Sequence, residues 1–284
     1  MACWVHPTSM AGTSARERTP RPHRCANNVL KRTLTGPDWD AFDRDGHVSL
    51  GVLEEAELRG LQNAIDDVML GRADVDYSQL LMQLDASSGA YGDLGRQTRG
   101  FKGATLNYRK IQDLELHPVF CAHACLPLFR EVCAHVYGEV SIACFRAMFM
   151  NKSAHRGTEL PWHQDRWSNL DRDPLVTIWT GLDAANRENG CLEVLSGSQR
   201  RGVINPSHPS AFASQSQSTR LDDEPSHFIE TEAGEVLLLH NWLLHRSSVN
   251  VTGSPRRAFS VCYMEQATRS TGRETYRPLF DAGS

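Results

Sequence analysis

The sequence predicts a mainly β domain with flanking α-helices, its core a jelly roll. Two observations carry that prediction. Beyond Glu139 the chain breaks into short β-rich runs separated by turn signals, at 140–151, 175–183, 191–195, 235–240 and 257–264. Many short strands at regular spacing make a sandwich or barrel, and the jelly roll is the compact solution. Before Glu139, apolar residues recur instead at helical spacing. A length of 284 residues can bury a sizeable core and fits one barrel or sandwich with helical additions. The expected organisation is a tail over 1–35 and a single domain over 36–284. Within that domain, a helical part covers about 36–138 and a jelly-roll core about 139–266.

Residues 1–35 are rich in Ser, Thr, Pro and Arg, lack apolar periodicity, and read as a disordered basic tail. An Arg-rich, acid-poor start also characterises organellar transit peptides, but Pro20, Pro22 and the lack of an amphipathic helix count against one. Residues 37–46 are a short Trp- and Phe-bearing segment, followed by a small strand at His47, Val48 and Ser49. Leu58, Leu61, Ile65, Val68 and Met69 form one apolar stripe, which makes 54–70 an amphipathic helix. Residues 71–98 are loop-rich, with Gly89 and Gly92 as breakers. Residues 117–137 read as a second helix closed by Gly138, with Pro127 interrupting it or starting a second piece. In the core, 186–190 is expected to be a hairpin connection in which Asn189-Gly190 supplies the positive-φ residues. The Ser/Gln-rich stretch 206–227 is a 22-residue insertion, and such insertions are lids or disordered. Residues 268–284 read as a polar tail.

Charge and cysteine content narrow the function classes. The net charge is −4, but 1–35 carry six Lys/Arg and one Glu, so the remainder sits near −9. A body that acidic is not expected to bind nucleic acid through bulk electrostatics. No apolar run approaches 18 residues, so no membrane span is expected, and residues 1–15 lack the apolar stretch of a secretory signal. None of the eight cysteines forms a Cys-x-x-Cys pair, which disfavours a zinc knuckle. Cys121, Cys125 and Cys133 have helical spacing and read as buried small hydrophobes. A reducing cytoplasm is the default location.

The chemistry centres on Leu160-Pro161-Trp162-His163-Gln164-Asp165, completed by Leu243-Leu244-His245. On a strand, His163 and Asp165 point the same way, about 7 Å apart at Cα, and Gln164 points away. Two such residues can take cis positions on one metal ion, and His245, delivered after the apolar strand 235–240, can supply a third. Two imidazoles and one carboxylate suit iron(II) and leave three positions open for dioxygen and a bidentate co-substrate. His-x-Asp alone is a weak motif, and a buried structural histidine is the commoner fate of a lone His. That bland reading is kept for His240, and a surface position is expected for His155, His208 and His227. On the last strand, Arg256, Ala258 and Ser260 share one face and Arg257, Phe259 and Val261 the other. An arginine on the small-residue face requires an anion, because a buried unpaired guanidinium is costly, and the end carboxylate of a dicarboxylic co-substrate would satisfy it. Otherwise both arginines are surface charges beside a turn.

The pattern of His163-x-Asp165, Asn189-Gly190-Cys191-Leu192-Glu193-Val194-Leu195-Ser196-Gly197-Ser198, His245-x-Ser247 and Arg256 resembles the phytanoyl-CoA dioxygenase family. The likeness runs from about Phe42 to Met264, and its most specific feature is the spacing from His245 to Arg256. The resemblance implies a cupin-like double-stranded β-helix and an Fe(II)- and 2-oxoglutarate-dependent dioxygenase that uses O2. Carried over, it makes His163, Asp165 and His245 the iron ligands. Arg256, assisted by Ser247, pairs with the far carboxylate of 2-oxoglutarate. Trp179 lines that pocket, Lys110 reaches the co-substrate from outside the barrel core, and Met148 and Gln164 add contacts. Ser196-Gly197-Ser198-Gln199 departs from the Pro-Gly-Ser-His more usual in the family, at positions that are not ligands. Asp165 disfavours halogenation, since the related halogenases lack that carboxylate.

The expected reaction is oxidation of an unactivated C–H bond, by hydroxylation or oxidative cyclisation. Arg99, Lys102, Asn107, Arg146, Trp162 and Trp167, with 206–227, are the candidates for the cavity mouth. Aromatics mixed with cations and amides would suit a polar small molecule, such as a sugar or glycoside in natural-product biosynthesis. The alternatives are an acyl-CoA or lipid-like substrate, a jelly roll that binds metal without turnover, and a non-redox metalloenzyme.

Overall fold

The eight strands from β5 to β12 pass back and forth between two antiparallel sheets, only β8 and β9 being consecutive in one sheet, and these crossings create the site. The computed structural model describes residues 29–31, 33–272 and 275–282. In chain order come α1 (Gly36–Asp45), β1 (His47–Val52), α2 (Glu55–Met69), β2 (Leu81–Leu84), β3 (Thr98–Arg99), β4 (Tyr108–Gln112), α3 (Pro118–Ala124) and α4 (Pro127–Tyr137). The core strands are β5 (Ile142–Lys152), β6 (Leu160–His163), β7 (Val176–Gly181), β8 (Leu192–Val194), β9 (His227–Ile229), β10 (Glu235–His240), β11 (His245–Ser247) and β12 (Arg256–Glu265). Helix α5 (Gln215–Asp222) precedes β9, and β13 (Arg277–Phe280) closes the described chain. One sheet runs β1-β10-β7-β12-β5-β4-β2-β3, with β13 also pairing β5, and the other runs β6-β11-β8-β9. This is the jelly roll that the strand spacing predicts.

Two apolar layers follow from strand periodicity. On β12, Phe259, Val261 and Tyr263 face the main core, with α2, α3, α4 and the rear of the large sheet. Phe259 meets the Phe120 ring at 4.8 Å. The other face of the large sheet offers Trp179, Leu237 and Ala258, which meet Leu192, Phe228 and Ile229 of the small sheet. Each large side chain so buried contributes about 1.5–3 kcal/mol against exposure. Helix α2 buries Leu61, Ile65, Val68 and Met69, the stripe read from the sequence. Gly138 closes α4 at φ 77°, also as expected.

Several elements depart from expectation, each for a physical reason. Residues 37–46 form helix α1, where the Asp38 carboxylate accepts the Thr35 N–H and hydroxyl and Pro37 opens the first turn. Pro127 starts a second helix: α3 and α4 meet at a 50° bend, because proline cannot donate an interior helix hydrogen bond. Of the three cysteines with helical spacing, Cys133 is buried, Cys121 half-buried, and Cys125, at the bend, exposed. Residues 36–138 are not only helical, since β1 pairs β10 at one edge and β4 pairs β5 beyond the other. The supposed polar tail supplies β13. The basic-tail expectation lies largely outside the described residues, but Leu30 donates to the Val52 carbonyl and Lys31 pairs with Asp38, so this portion is docked.

The 186–190 segment is not a hairpin. It carries the chain from β7 in the large sheet to β8 in the small one. Only Gly190 has positive φ, at 80°; the Asn189 side chain instead donates to the Ala184 carbonyl and accepts the Asn186 N–H. The 206–227 insertion is ordered. It runs beside β6, where Ala213 donates to the Trp162 carbonyl, and then forms α5 behind a Ser214/Gln217 capping box.

Candidate active site

Cross-strand pairing brings the two candidate ligand histidines together. His163 ends β6 and His245 opens β11, directly opposite in register, so both rings stand on one face, 4.0 Å apart at their centroids. Asp165 lies just beyond the end of β6, its N–H held by the Asn241 carbonyl at 2.7 Å. One ligand atom from each of the three lies within 4.8 Å of the other two. Each histidine places Nδ1 2.9 Å from a backbone carbonyl two residues earlier, Pro161 or Leu243. That bond keeps the proton on Nδ1 and leaves Nε2 to bind a metal. Burial and the nearby His245 ring hold His163 well below its usual pKa, in the neutral, ligating form. These residues fit iron(II): two neutral nitrogens and one carboxylate converge, with the remaining directions facing a cavity.

The supports of this triad were not singled out as such in the sequence. Ser198 accepts the Leu244 N–H through its hydroxyl. Asn241 is buried, donates to the Pro174 carbonyl and accepts from Thr177. His240 accepts the Trp242 N–H through Nδ1, and burial pushes it down to about 4; it shapes the turn before His245 and lies outside the cluster of candidate metal ligands found among the described residues. Gln164 borders the cavity, as the resemblance implies; its amide also donates to the Gly202 and Trp242 carbonyls and its oxygen accepts the Ile204 N–H, so it holds the loops around the site.

A cavity of about 290 Å³ opens from the triad between the sheets. Arg256, Ser247, Trp179, Lys110 and Met148 all line it. Arg256 is buried, donates to the Gly190 carbonyl at 2.7 Å, and has an Nε with no hydrogen-bond partner among the described residues. Burial lowers its pKa to about 10. Neighbouring Arg257 points the other way, to Asp183 and Asp66, as the alternation requires. A buried guanidinium with an unmet donor and no carboxylate partner fits the far carboxylate of 2-oxoglutarate. Lys110 enters from β4, a strand absent from the sequence reading, and burial beside Arg109 and Arg146 pushes its pKa down to about 7.

The expected mouth residues divide. Arg146 and Trp167 line the cavity. Arg99, Lys102 and Asn107 do not, and Trp162 is buried elsewhere, donating to Asp222 beneath the Arg246 guanidinium. The insertion does reach the site: Phe212 stacks on His163, centroids 4.9 Å apart and planes 13° from parallel. His208, expected at the surface, is half-buried and accepts the Ser210 and Phe212 N–H groups, shaping the turn that carries this ring. Arg109 and Lys152 also line the cavity, and no sequence motif marked them.

The phytanoyl-CoA dioxygenase (PhyH) family model matches residues 42–258. The chain belongs to that family. Its members are 2-oxoglutarate-dependent non-haem iron oxygenases, with iron(II) as cofactor and 2-oxoglutarate and O2 as co-substrates. The chain is 30% identical over 162 residues to the bovine (Bos taurus) phytanoyl-CoA dioxygenase domain-containing protein 1, covering 51% of this chain and 55% of that one. It is 24% identical over 258 residues to the Arabidopsis thaliana phytanoyl-CoA dioxygenase, covering 82% and 89%. Among solved structures, the non-heme alpha ketoglutarate dependent carbocyclase SnoK from nogalamycin biosynthesis superposes with a TM-score of 0.63 at 18% identity. That likeness, covering 88% of this chain and 89% of SnoK, is one of fold.

Proposed function

We propose that this family member oxidises an unactivated C–H bond of a small polar molecule, by hydroxylation or oxidative cyclisation, with 2-oxoglutarate converted to succinate and carbon dioxide. The observation that carries this reading is the presence of the triad and the partly unpaired Arg256 in one cavity. Iron(II), when bound, supplies the activation of dioxygen at the expense of 2-oxoglutarate. His163, Asp165 and His245 hold the metal, Asp165 contributing one negative charge to the donor set. Arg256 and Ser247 fix the far carboxylate of the co-substrate, and Trp179 and Met148 wall that end. Phe212, packed over His163, shields this flank from water.

A cavity of about 290 Å³ has room for the co-substrate and a small molecule, and a nucleotide-bearing thioester would have to keep its nucleotide outside it. The likeness to SnoK supports natural-product tailoring, with a sugar-containing substrate as the specific expectation carried from the sequence. No single helix among the described residues is long and apolar enough to cross a membrane, and the six described cysteines are free, which supports a reducing, cytoplasmic location.

The test is the visible spectrum with iron(II) and 2-oxoglutarate under strict anaerobiosis. A metal-to-ligand charge-transfer band is expected, lost in His163→Ala and weakened in Arg256→Ala. Bound metal without a band would exclude the oxygenase reading and favour a non-redox or binding role.

A further inference from the structure

We propose that the half of the cavity away from Arg256 receives the substrate through an oxyanion, a carboxylate, phosphate or phosphonate held by Arg146. This rests on the oxygenase reading and adds the chemical class of its substrate. Arg146 and Lys152 lie six positions apart on one face of β5, opposite Cys262 and Arg256 of β12. That spacing is about 20 Å along the strand, so Arg146 and Arg256 mark opposite ends of the cavity. The Arg256 end is matched to the co-substrate. Iron(II), Asp165, a 2-oxoglutarate dianion and Arg256 together carry no net charge. The cations beyond them therefore need another source of anion.

Three of those cations already have partners: Arg109 donates to Gln83, Lys152 to the Thr158 carbonyl and Arg166 to Asp173. Arg146 and Lys110 have no side-chain hydrogen bond or ion pair among the described residues, and the Arg146 Nε is buried without an acceptor. Arg146 is also held in place. Its guanidinium lies 4.6 Å from the Trp167 ring and 5.3 Å from that of Phe145, contacts that fix its plane without using its donors. Such a fixed fork, with a lysine beside it, is built for an oxyanion with two or three acceptor oxygens. Among the described residues Asp165 is the one carboxylate lining this cavity, and it stands in the candidate metal-ligand cluster.

The experiment is calorimetric titration of the anaerobic protein, loaded with iron(II) and saturated with 2-oxoglutarate so that Arg256 is occupied. The probes are inorganic phosphate, methylphosphonate and propionate, with glycerol as the uncharged control. At least one oxyanion should bind, and glycerol should not. Arg146→Gln should weaken that binding at least tenfold, with Arg146→Lys recovering part of the loss. The preferred probe separates phosphorus oxyanions from carboxylates. Absence of oxyanion binding, or equal affinity in Arg146→Gln and wild type, overturns the proposal. If Arg146→Gln does not fold, Arg146→Lys carries the same decision, with affinity expected below that of wild type. The charge-transfer band in the same sample separates the two readings. A band without oxyanion binding removes this proposal alone. Without a band the oxygenase reading fails, and the titration is repeated on metal-free protein against the same outcomes.

Discussion

At the scale of single residues, the site depends on side chains whose polar atoms have one destination each. Arg256 places a charged fork where the described protein offers it only the Gly190 carbonyl. Truncating one partner of a buried charge pair costs about 2–5 kcal/mol, or roughly 30- to 5,000-fold. Arg256→Gln should therefore raise the KM for 2-oxoglutarate within that range, measured as succinate formed against co-substrate concentration. Gln164 acts one step further out. Its three amide contacts join the loops on either side of the triad. Gln164→Leu should weaken iron(II) binding about 10- to 100-fold, the usual effect of losing a ligand's supporting partner. A metal titration reads this directly, and unchanged affinity would show that the loops hold their places without the amide.

At the scale of elements, the crossing from β7 to β8 is the sensitive joint. Gly190 sits at φ 80°, and a Cβ there would lie 2.5 Å from the Ser248 carbonyl oxygen and 2.7 Å from Lys152 Cδ. The same residue's carbonyl accepts from Arg256. Gly190→Ala should cost about 1–3 kcal/mol, lowering Tm by several degrees, and should also raise the KM for 2-oxoglutarate. A variant that loses stability while keeping its KM would show that Arg256 is positioned independently of this turn. Strand β11 illustrates the alternation that such joints protect. His245 and Ser247 face the cavity, while Arg246 points outward to Glu193 and Asp222. A one-residue slip would exchange them and remove the metal ligand.

At the scale of the whole molecule, the helical layer behind the large sheet sets the response to acid. His123 of α3 is buried against Phe129 and Phe259, 3.0 Å from the Thr180 hydroxyl, and burial pushes its pKa down to about 4. In the unfolded chain the value returns to about 6.5. The folded state thus favours the neutral ring. Its contribution is fully present above pH 6.5 and is lost progressively as pH falls towards 4, by about 3 kcal/mol at the limit. His47, likewise at about 4 through burial and the neighbouring His227, acts in the same direction. Urea melts at pH 7, 5.5 and 4.5 should show stability falling with pH, and His123→Gln should flatten that slope by close to one proton. A slope unchanged in the variant would place the acid sensitivity elsewhere.

The sequence by itself determined what local periodicity controls. The apolar stripe of α2, the apolar run of β10 and the two faces of β12 each follow from local pattern, whereas Asp165 lies beyond the end of β6 and reaches the site through the turn rather than by strand alternation. From these, and from the resemblance they supported, came the jelly roll, the triad and Arg256. Only the tertiary structure decided which distant segments meet. Strand β4, Tyr108–Gln112, carries two adjacent cations and no clean alternation, so its pairing with β2 and β5 makes it a strand and turns Lys110 inward. Asn189-Gly190 has hairpin chemistry, yet the strands it joins lie in different sheets. Trp162 and Trp167 are equivalent in the sequence as aromatics near the triad. Register and packing send one beneath Arg246 and the other beneath Arg146. A side chain's face is fixed by a few neighbouring residues, but its partners are fixed by contacts across the chain, which no local window contains.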